Sequence, residues 1–290
     1  MPTVRYEAPR SVADAVRLMR ADPTARVLAG GTDLLIQFRA GARQPSAFID
    51  VKRIPELIAI SESANGVRIG AAVNAASICE HPVLNQFWPG LVEATHLIGS
   101  TQIQGRASLG GNLCNASPAA DSTCALIVNR ARCVIAGLSG ERTVSVEEFC
   151  TAPGRTVLEP GEILVAIELP KPSSRTADAY LRLIPRSEMD IAVVGAAVGV
   201  TLDATGTCTA ARVAVGAVAP TALLVPAAAA ALVGSHLDDD ALGRAAEAAR
   251  AVARPIDDKR GTVAYRHQVV GVLVKRAAAK AAERAKGIQS

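Results

Sequence analysis

The sequence predicts an α+β protein: a small α/β unit first, a strand-dominated middle, then a three-stranded antiparallel sheet followed by helices. Three observations predict it. Short apolar runs alternate with helical patterning in the first fifty residues. Short strand-like runs bounded by Gly, Ser, Asn or Pro recur through the middle. Three strand-like runs after residue 180 are followed by two stretches of helical spacing.

Ser11 stands three residues before Asp14 and opens a run in which Val12, Ala15, Val16 and Met19 share one helical face, a capping-box-like start that Pro23 ends. RVLA (26–29) reads as a short buried strand. It leads at once into Gly30-Gly31-Thr32-Asp33 and a second apolar segment, LLIQF, which opens a helix; FIDV (48–51) is the next strand. In the middle, LIAI (57–60), VRIGAA (67–72), RCVIAG (132–137), RTVSV (142–146) and ILVAIEL (163–169) are strand-like, with helices around 75–80, 91–98 and 122–129. PKPSSRTA (170–177) has the composition of an exposed connection. After it YLRL (180–183), IAVVGAAVGVTL (191–202) and ARVAVGAV (211–218) form the expected sheet, with DATG (203–206) as a hairpin turn; helices follow over 239–252 and 262–285. The last helix carries Arg266, Lys275, Arg276, Lys280 and Arg284, which suits a solvated face or a patch for an acidic partner subunit.

Composition narrows the function classes. With 290 residues, 50% hydrophobic and 20% charged, the chain can bury a core in each of two domains, and disorder is excluded. A net charge of +4 without a basic block, and only four Phe, three Tyr and one Trp, argue against nucleic acid. Residues 213–236 lack charge, but Pro220 and Pro226 interrupt them and alanine dominates, so no membrane span is expected. The N-terminus shows neither a signal-peptide core nor a twin-arginine pair, and the six cysteines form no CxxC; a cytoplasmic protein with reduced thiols is expected.

Two segments carry the chemistry. In Leu28-Ala29-Gly30-Gly31-Thr32-Asp33-Leu34-Leu35, two glycines let the backbone turn tightly and approach a ligand, and successive N–H groups can form an anion-binding concavity. Thr32 adds a hydroxyl; Asp33 would repel phosphate and is expected to cap the helix or hold the loop. The pattern also fits a plain strand–turn–helix, and it lacks the spacing of a Rossmann or Walker site. The second segment, from Ile98 through Ser108-Leu109-Gly110-Gly111-Asn112 to Asp121, reads as a long functional loop with a second glycine pair and one carboxylate suited to sugar hydroxyls. Two glycine loops and a ribose-type carboxylate fit a nucleotide bearing a pyrophosphate; two independent structural turns remain the alternative.

LAGGTDLL together with SLGGNLCNASPAAD resembles the FAD-binding medium subunit of the molybdenum hydroxylases, the family of xanthine dehydrogenase and bacterial carbon monoxide dehydrogenase flavoproteins. PGEILVAIELP (160–170), the segment from Tyr180 through Arg186 to Asp190-Ile191-Ala192, and RGTVAYRHQVVGVLVKRA (260–277) are similar to further parts of it, so the resemblance covers essentially the whole chain. It implies a two-lobed FAD-binding domain similar to vanillyl-alcohol oxidase over 1–172 (lobes 1–54 and 55–172), and a flavoprotein C-terminal domain over 177–286. It also implies roles. Ala29, Gly30, Gly31, Thr32 and Asp33 would wrap the pyrophosphate, Leu34 would also contact the cofactor, and Ser108, Gly110, Gly111 and Asn112 would form the second loop. Asp121 would hold the ribose or adenine end. Ile98, Leu164 and Arg182 would make further flavin contacts, Arg182 as a cation favouring reduced anionic flavin. The chain departs from the family at Gln104-Gly105, where Arg-Asn is frequent, at Ile191, where some members have Tyr, and at Leu224 with the alanines that follow.

The function implied is electron transfer. A large subunit with a molybdopterin-type molybdenum cofactor hydroxylates the substrate. A small subunit with two [2Fe–2S] clusters passes electrons to FAD in this chain, and NAD, a quinone, dioxygen or another carrier accepts them. The assembly implied is a dimer of heterotrimers. No residue of this chain is expected to act on the organic substrate. Cys114, Cys124, Cys133 and Cys150 lack the compact spacing of a cluster motif, and the four histidines show no zinc spacing, so no metal is expected here. Two other readings stay open. A self-contained FAD oxidase or reductase would need its own proton donor or histidyl link, and neither glycine motif holds a histidine. A flavin-free scaffold subunit is the third.

Overall fold

A computed structural model describes residues 4–288; residues 1–3 of the expected first domain lie outside them. The N-terminal unit is a parallel three-stranded sheet built from β1 (Arg5–Glu7), α1 (Val12–Ala21), β2 (Arg26–Leu28), α2 (Leu34–Arg39) and β3 (Ala47–Asp50), in spatial order β1-β3-β2. Ser11 Oγ accepts from the Asp14 N–H and starts α1 as its spacing predicts. Strand β1 is a finding beyond the sequence reading, since Arg-Tyr-Glu at an edge shows no apolar alternation.

The middle is a five-stranded antiparallel sheet of β4 (Ile60–Ser63), β5 (Gly66–Gly70), β6 (Arg132–Gly137), β7 (Gly140–Ser145) and β10 (Ile163–Pro170), ordered β4-β5-β10-β6-β7; a small hairpin, β8 (Cys150–Ala152) with β9 (Arg155–Thr156), stands beside it. Helices α3 (Ala75–Glu80), α4 (Pro82–Phe87), α5 (Pro89–His96), α6 (Thr101–Gln104), α7 (Leu109–Asn115), α8 (Asp121–Val128) and α9 (Val146–Phe149) come from the same region. Two expectations change. LIAI is not a strand from residue 57, because Pro55 opens a 3-10 turn that Leu57 closes, and pairing begins only at Ile60. The segment from Ile98 to Asp121 is not one long loop: α6 and α7 lie within it, and Ser108 caps α7 by accepting from the Gly111 N–H.

The C-terminal unit has four strands rather than three: β11 (Thr176–Leu183), β12 (Val194–Leu202), β13 (Cys208–Gly216) and β14 (Leu223–Leu224), in that spatial order, all antiparallel. The two-residue β14 pairs with Ala214 and Val215. Three helices, α10 (Pro226–Leu232), α11 (Asp239–Val252) and α12 (Val263–Gly287), follow.

The layers explain the patterning. Val194, Ala196, Val198 and Val200 of β12 pack with α11 and α12, whereas Ala197 packs with Tyr180 and Ala214 into the core of the middle lobe, against Leu91, Leu126 and Ile167. Both faces of β12 are therefore covered, which is why its run is almost continuously apolar. A third core joins Val16 and Ile49 of the N-terminal unit to Val134, Ile163 and Val165 of the five-stranded sheet. The fully buried Asp178 pins the C-terminal unit onto the middle one. Its carboxylate accepts from the Gly90 and Leu91 N–H groups at 2.8 and 3.0 Å and from Asn129 Nδ2 at 2.6 Å. Among the described residues no helix is long and apolar enough to cross a membrane.

Candidate functional site

An open cleft lies between the N-terminal unit and the middle lobe. Each wall has a local cause. The first is the turn from β2 into α2, where Gly31 adopts φ +77°, a conformation that L side chains resist. The second is the start of α7. Gly110 lets that helix press on the end of β5, since a Cβ there would lie 2.4 Å from Ala71 O. The third wall is Leu158 and the beginning of β10, with Glu162, Ile163 and Leu164. Arg142 holds this wall through a two-pronged pair with Glu162, both bonds 2.7 Å, and a further donation to Val157 O at 2.9 Å.

The two glycine segments, nearly eighty residues apart in sequence, meet in space. A Cβ on Gly30 would sit 1.8 Å from Arg106 O, so the second segment runs directly against the first. Gln37 Nε2 on α2 donates to Asn115 Oδ1 on α7 at 2.9 Å and ties the walls together. Ala29, Gly30, Gly31, Thr32, Asp33, Leu34, Ile98, Ser108, Gly110, Gly111, Asn112 and Leu164 all line the one cleft. The sequence reading did not single out Gln37, Arg26, Arg43 or Glu162, which also line it. Their signal is weak, because nothing about them is unusual until the walls are folded together.

The donors suit an anion. The N–H groups of Gly30, Gly31, Thr32 and Asp33 have no acceptor among the described residues. Four consecutive unpaired donors at a turn form a concavity of positive partial charge. At Gly111 a Cβ would meet only Ser108 Oγ, at 3.1 Å, so the missing side chain keeps the second wall open. Asn112 is held from behind: Ser122 Oγ donates to its Oδ1 at 2.7 Å, which leaves the Asn112 amide nitrogen as the free end. Asp33 precedes α2 but makes no capping bond with its side chain, contrary to the expectation, and desolvation raises its pKa. The cleft thus fits an elongated ligand with a pyrophosphate.

Asp121 and Arg182 lie elsewhere. Alternation along β11 puts Tyr180 and Arg182 on one face, opposite the first residue of α8. The Tyr180 hydroxyl donates to Asp121 Oδ1 at 2.7 Å, and Arg182 pairs with Oδ2 at 2.6 Å. Neither Asp121 nor Arg182 is among the residues lining the cleft; the two form a buried pair between domains. Burial pushes the Asp121 carboxyl up to about 6 even though Arg182 and Tyr180 pull it down, and it drives Tyr180 well above its ordinary value. Arg182 Nε is buried and unpartnered. All six cysteines are free, and no group of three His, Cys, Asp or Glu side chains suited to a metal occurs among the described residues.

Comparison with known proteins agrees with this geometry. Residues 2–172 match the FAD-binding domain in molybdopterin dehydrogenase, and residues 179–281 match the CO dehydrogenase flavoprotein C-terminal domain. The carbon monoxide dehydrogenase medium chain of Hydrogenophaga pseudoflava is 35% identical over 277 residues, covering 95% of this chain and 96% of that one. A putative xanthine dehydrogenase FAD-binding subunit of Escherichia coli K12 is 35% identical over 218 residues, 74% of each chain. In the solved carbon monoxide dehydrogenase of Hydrogenophaga pseudoflava that lacks the Mo-pyranopterin moiety, a chain superposes with a TM-score of 0.93 at 37% identity, covering 98% of both. With family models matching 2–172 and 179–281 and a relative covering 95% of its length, the chain belongs to the family of FAD-binding medium subunits of the molybdenum hydroxylases.

Proposed function

We propose that the cleft binds FAD through its two glycine turns. The chain then carries electrons from the [2Fe–2S] clusters of a small subunit to an external acceptor. A large subunit bearing the molybdenum cofactor hydroxylates the substrate, in a dimer of heterotrimers. The observation that carries this reading is the meeting of the two glycine segments, with the N–H groups of residues 30–33 free of any acceptor among the described residues. In it, Ala29 to Asp33 receive the pyrophosphate, Thr32 offers a hydroxyl, and Ser108, Gly110, Gly111 and Asn112 line the second side. Leu34, Ile98 and Leu164 supply apolar surface that keeps water from the ligand's rings. When bound, FAD supplies exchange between one-electron and two-electron carriers. The buried Asp121–Arg182 pair holds the C-terminal domain behind this site. The six free thiols support a cytoplasmic setting.

The test is purification of the chain from its native host, with an absorption spectrum and metal analysis. One flavin and one molybdenum to about four irons, with a larger and a smaller partner, is the expected result. A yellow chain alone and free of metal would favour a self-contained flavoenzyme. A preparation that stays colourless after addition of FAD would sink both.

A further inference from the structure

The two carbonyl groups that flank the Gly30 N–Cα–C unit are both held from outside the cleft. Lys52 Nζ donates to Ala29 O at 2.8 Å. That ammonium is anchored in turn by Asp50 Oδ1 at 2.6 Å, while Asp50 Oδ2 accepts the Tyr6 hydroxyl at 2.5 Å. Arg106 Nε donates to Gly30 O at 3.2 Å. Neither Lys52 nor Arg106 lines the cleft, although Ala29, Gly30 and Gly31 do.

Peptide planarity turns this into a statement about donors. In a trans peptide the C=O and the N–H of the next residue point in opposite directions across one rigid plane. No cis bond occurs among the described residues. Fixing the Ala29 carbonyl on the Lys52 side therefore turns the Gly30 N–H away from Lys52. Fixing the Gly30 carbonyl on the Arg106 side turns the Gly31 N–H away from Arg106 in the same manner. Both N–H groups lack a protein acceptor, and Gly31 has the left-handed φ with which successive N–H groups form an anion-binding concavity. A carbonyl that accepts from a cation also polarises its peptide, which strengthens the N–H at the other end.

We infer that Lys52 and Arg106 are positioning residues that set the two peptide planes of residues 29–31, so that the Gly30 and Gly31 N–H groups converge on the pyrophosphate of the bound dinucleotide. The inference rests on the proposal that FAD occupies the cleft. The two cations act through the backbone and touch no ligand atom. Tyr6 and Asp50 support Lys52, while Arg106 brings its own segment against Gly30.

The experiment uses the FAD-bearing chain purified from its host with the subunits that accompany it. Phosphorus-31 NMR reports on the bound pyrophosphate, and the fluorescence gained on flavin release gives the dissociation rate. Lys52→Met and Arg106→Met are each expected to move the phosphorus resonances and to speed FAD release roughly tenfold, the size of one lost charge-assisted hydrogen bond. Arg106→Lys, which keeps a cation, is expected to recover most of the effect. Faster release with unmoved phosphorus signals would reduce the two cations to scaffolding and overturn the inference, as would release at the unaltered rate. Arg106 is exposed, so its variants decide the matter if Lys52→Met does not assemble. A wild-type preparation without FAD would overturn the FAD proposal itself.

Discussion

The two glycine turns share a Gly-Gly pair, yet the four glycines answer to different constraints. Gly30 and Gly110 are small because another segment's backbone lies against them, Arg106 O in one case and Ala71 O in the other. Gly31 is needed for its φ of +77°. Gly111 has no positive φ, and a Cβ there would meet only a serine oxygen; its smallness serves the space inside the cleft. The supports differ as well. Two cations brace the first turn from outside, whereas the second is braced by a serine hydroxyl on α8, next to the buried Asp121. One motif can thus encode packing, backbone conformation and ligand room at successive positions.

Substitutions separate these roles. Gly30→Ala is expected to have the largest effect, because its Cβ would overlap a main-chain oxygen. A loss of about 3 kcal/mol or more in denaturant unfolding is predicted, with Gly110→Ala close behind. Equal stability of Gly30→Ala and wild type would mean that the turns do not touch as described. Gly31→Ala should cost about 1–2 kcal/mol, the penalty of a left-handed alanine. Gly111→Ala should leave unfolding within about 1 kcal/mol of wild type, since alanine suits a helix start. Its FAD affinity should nevertheless fall at least roughly tenfold, measured by flavin fluorescence. If stability and affinity instead fell together, the distinction between Gly110 and Gly111 would collapse.

The smallest effect concerns pH. Burial raises the Asp121 carboxyl to about 6 in the folded chain, against about 4 unfolded. A raised carboxyl stabilises the fold below its unfolded pKa, and that contribution is lost as pH rises through about 6. Melting temperatures should therefore decline between about pH 4 and 6 through this site, and Asp121→Asn should flatten that part of the profile. A decline that persists unchanged in Asp121→Asn would assign it to other groups.

Much of this architecture can be read from the residues. RCVIAG falls on β6 from end to end, and the helical spacing over 239–252 coincides with α11. Elements whose stability comes from neighbours are harder to see. Strand β1 is three residues of mixed polarity that pair only because β3 lies alongside, and β14 is two leucines held by β13. The glycine motifs identify the cleft walls because glycine permits the left-handed φ of Gly31 and the close backbone approaches at Gly30 and Gly110. Lys52 and Arg106 leave no comparable mark, since they reach main-chain carbonyls that every residue possesses. Asp121 has the sequence context of a ligand carboxylate, but its pairing with Arg182, sixty-one positions away, leaves no mark in that context.

Tyr180, Ala197 and Ala214 belong to the C-terminal sheet, yet they complete the hydrophobic interior beneath α5 and α8. The connection visible in sequence at residues 170–177 is therefore not a mechanical hinge. It joins two halves that finish one another's interior, so the FAD-binding domain cannot swing away from the C-terminal domain on a tether. For the electron transfer proposed above, the separation between the FAD-binding cleft and a neighbouring redox centre would be set by how the whole chain is seated, a fixed property of assembly rather than a fluctuating one.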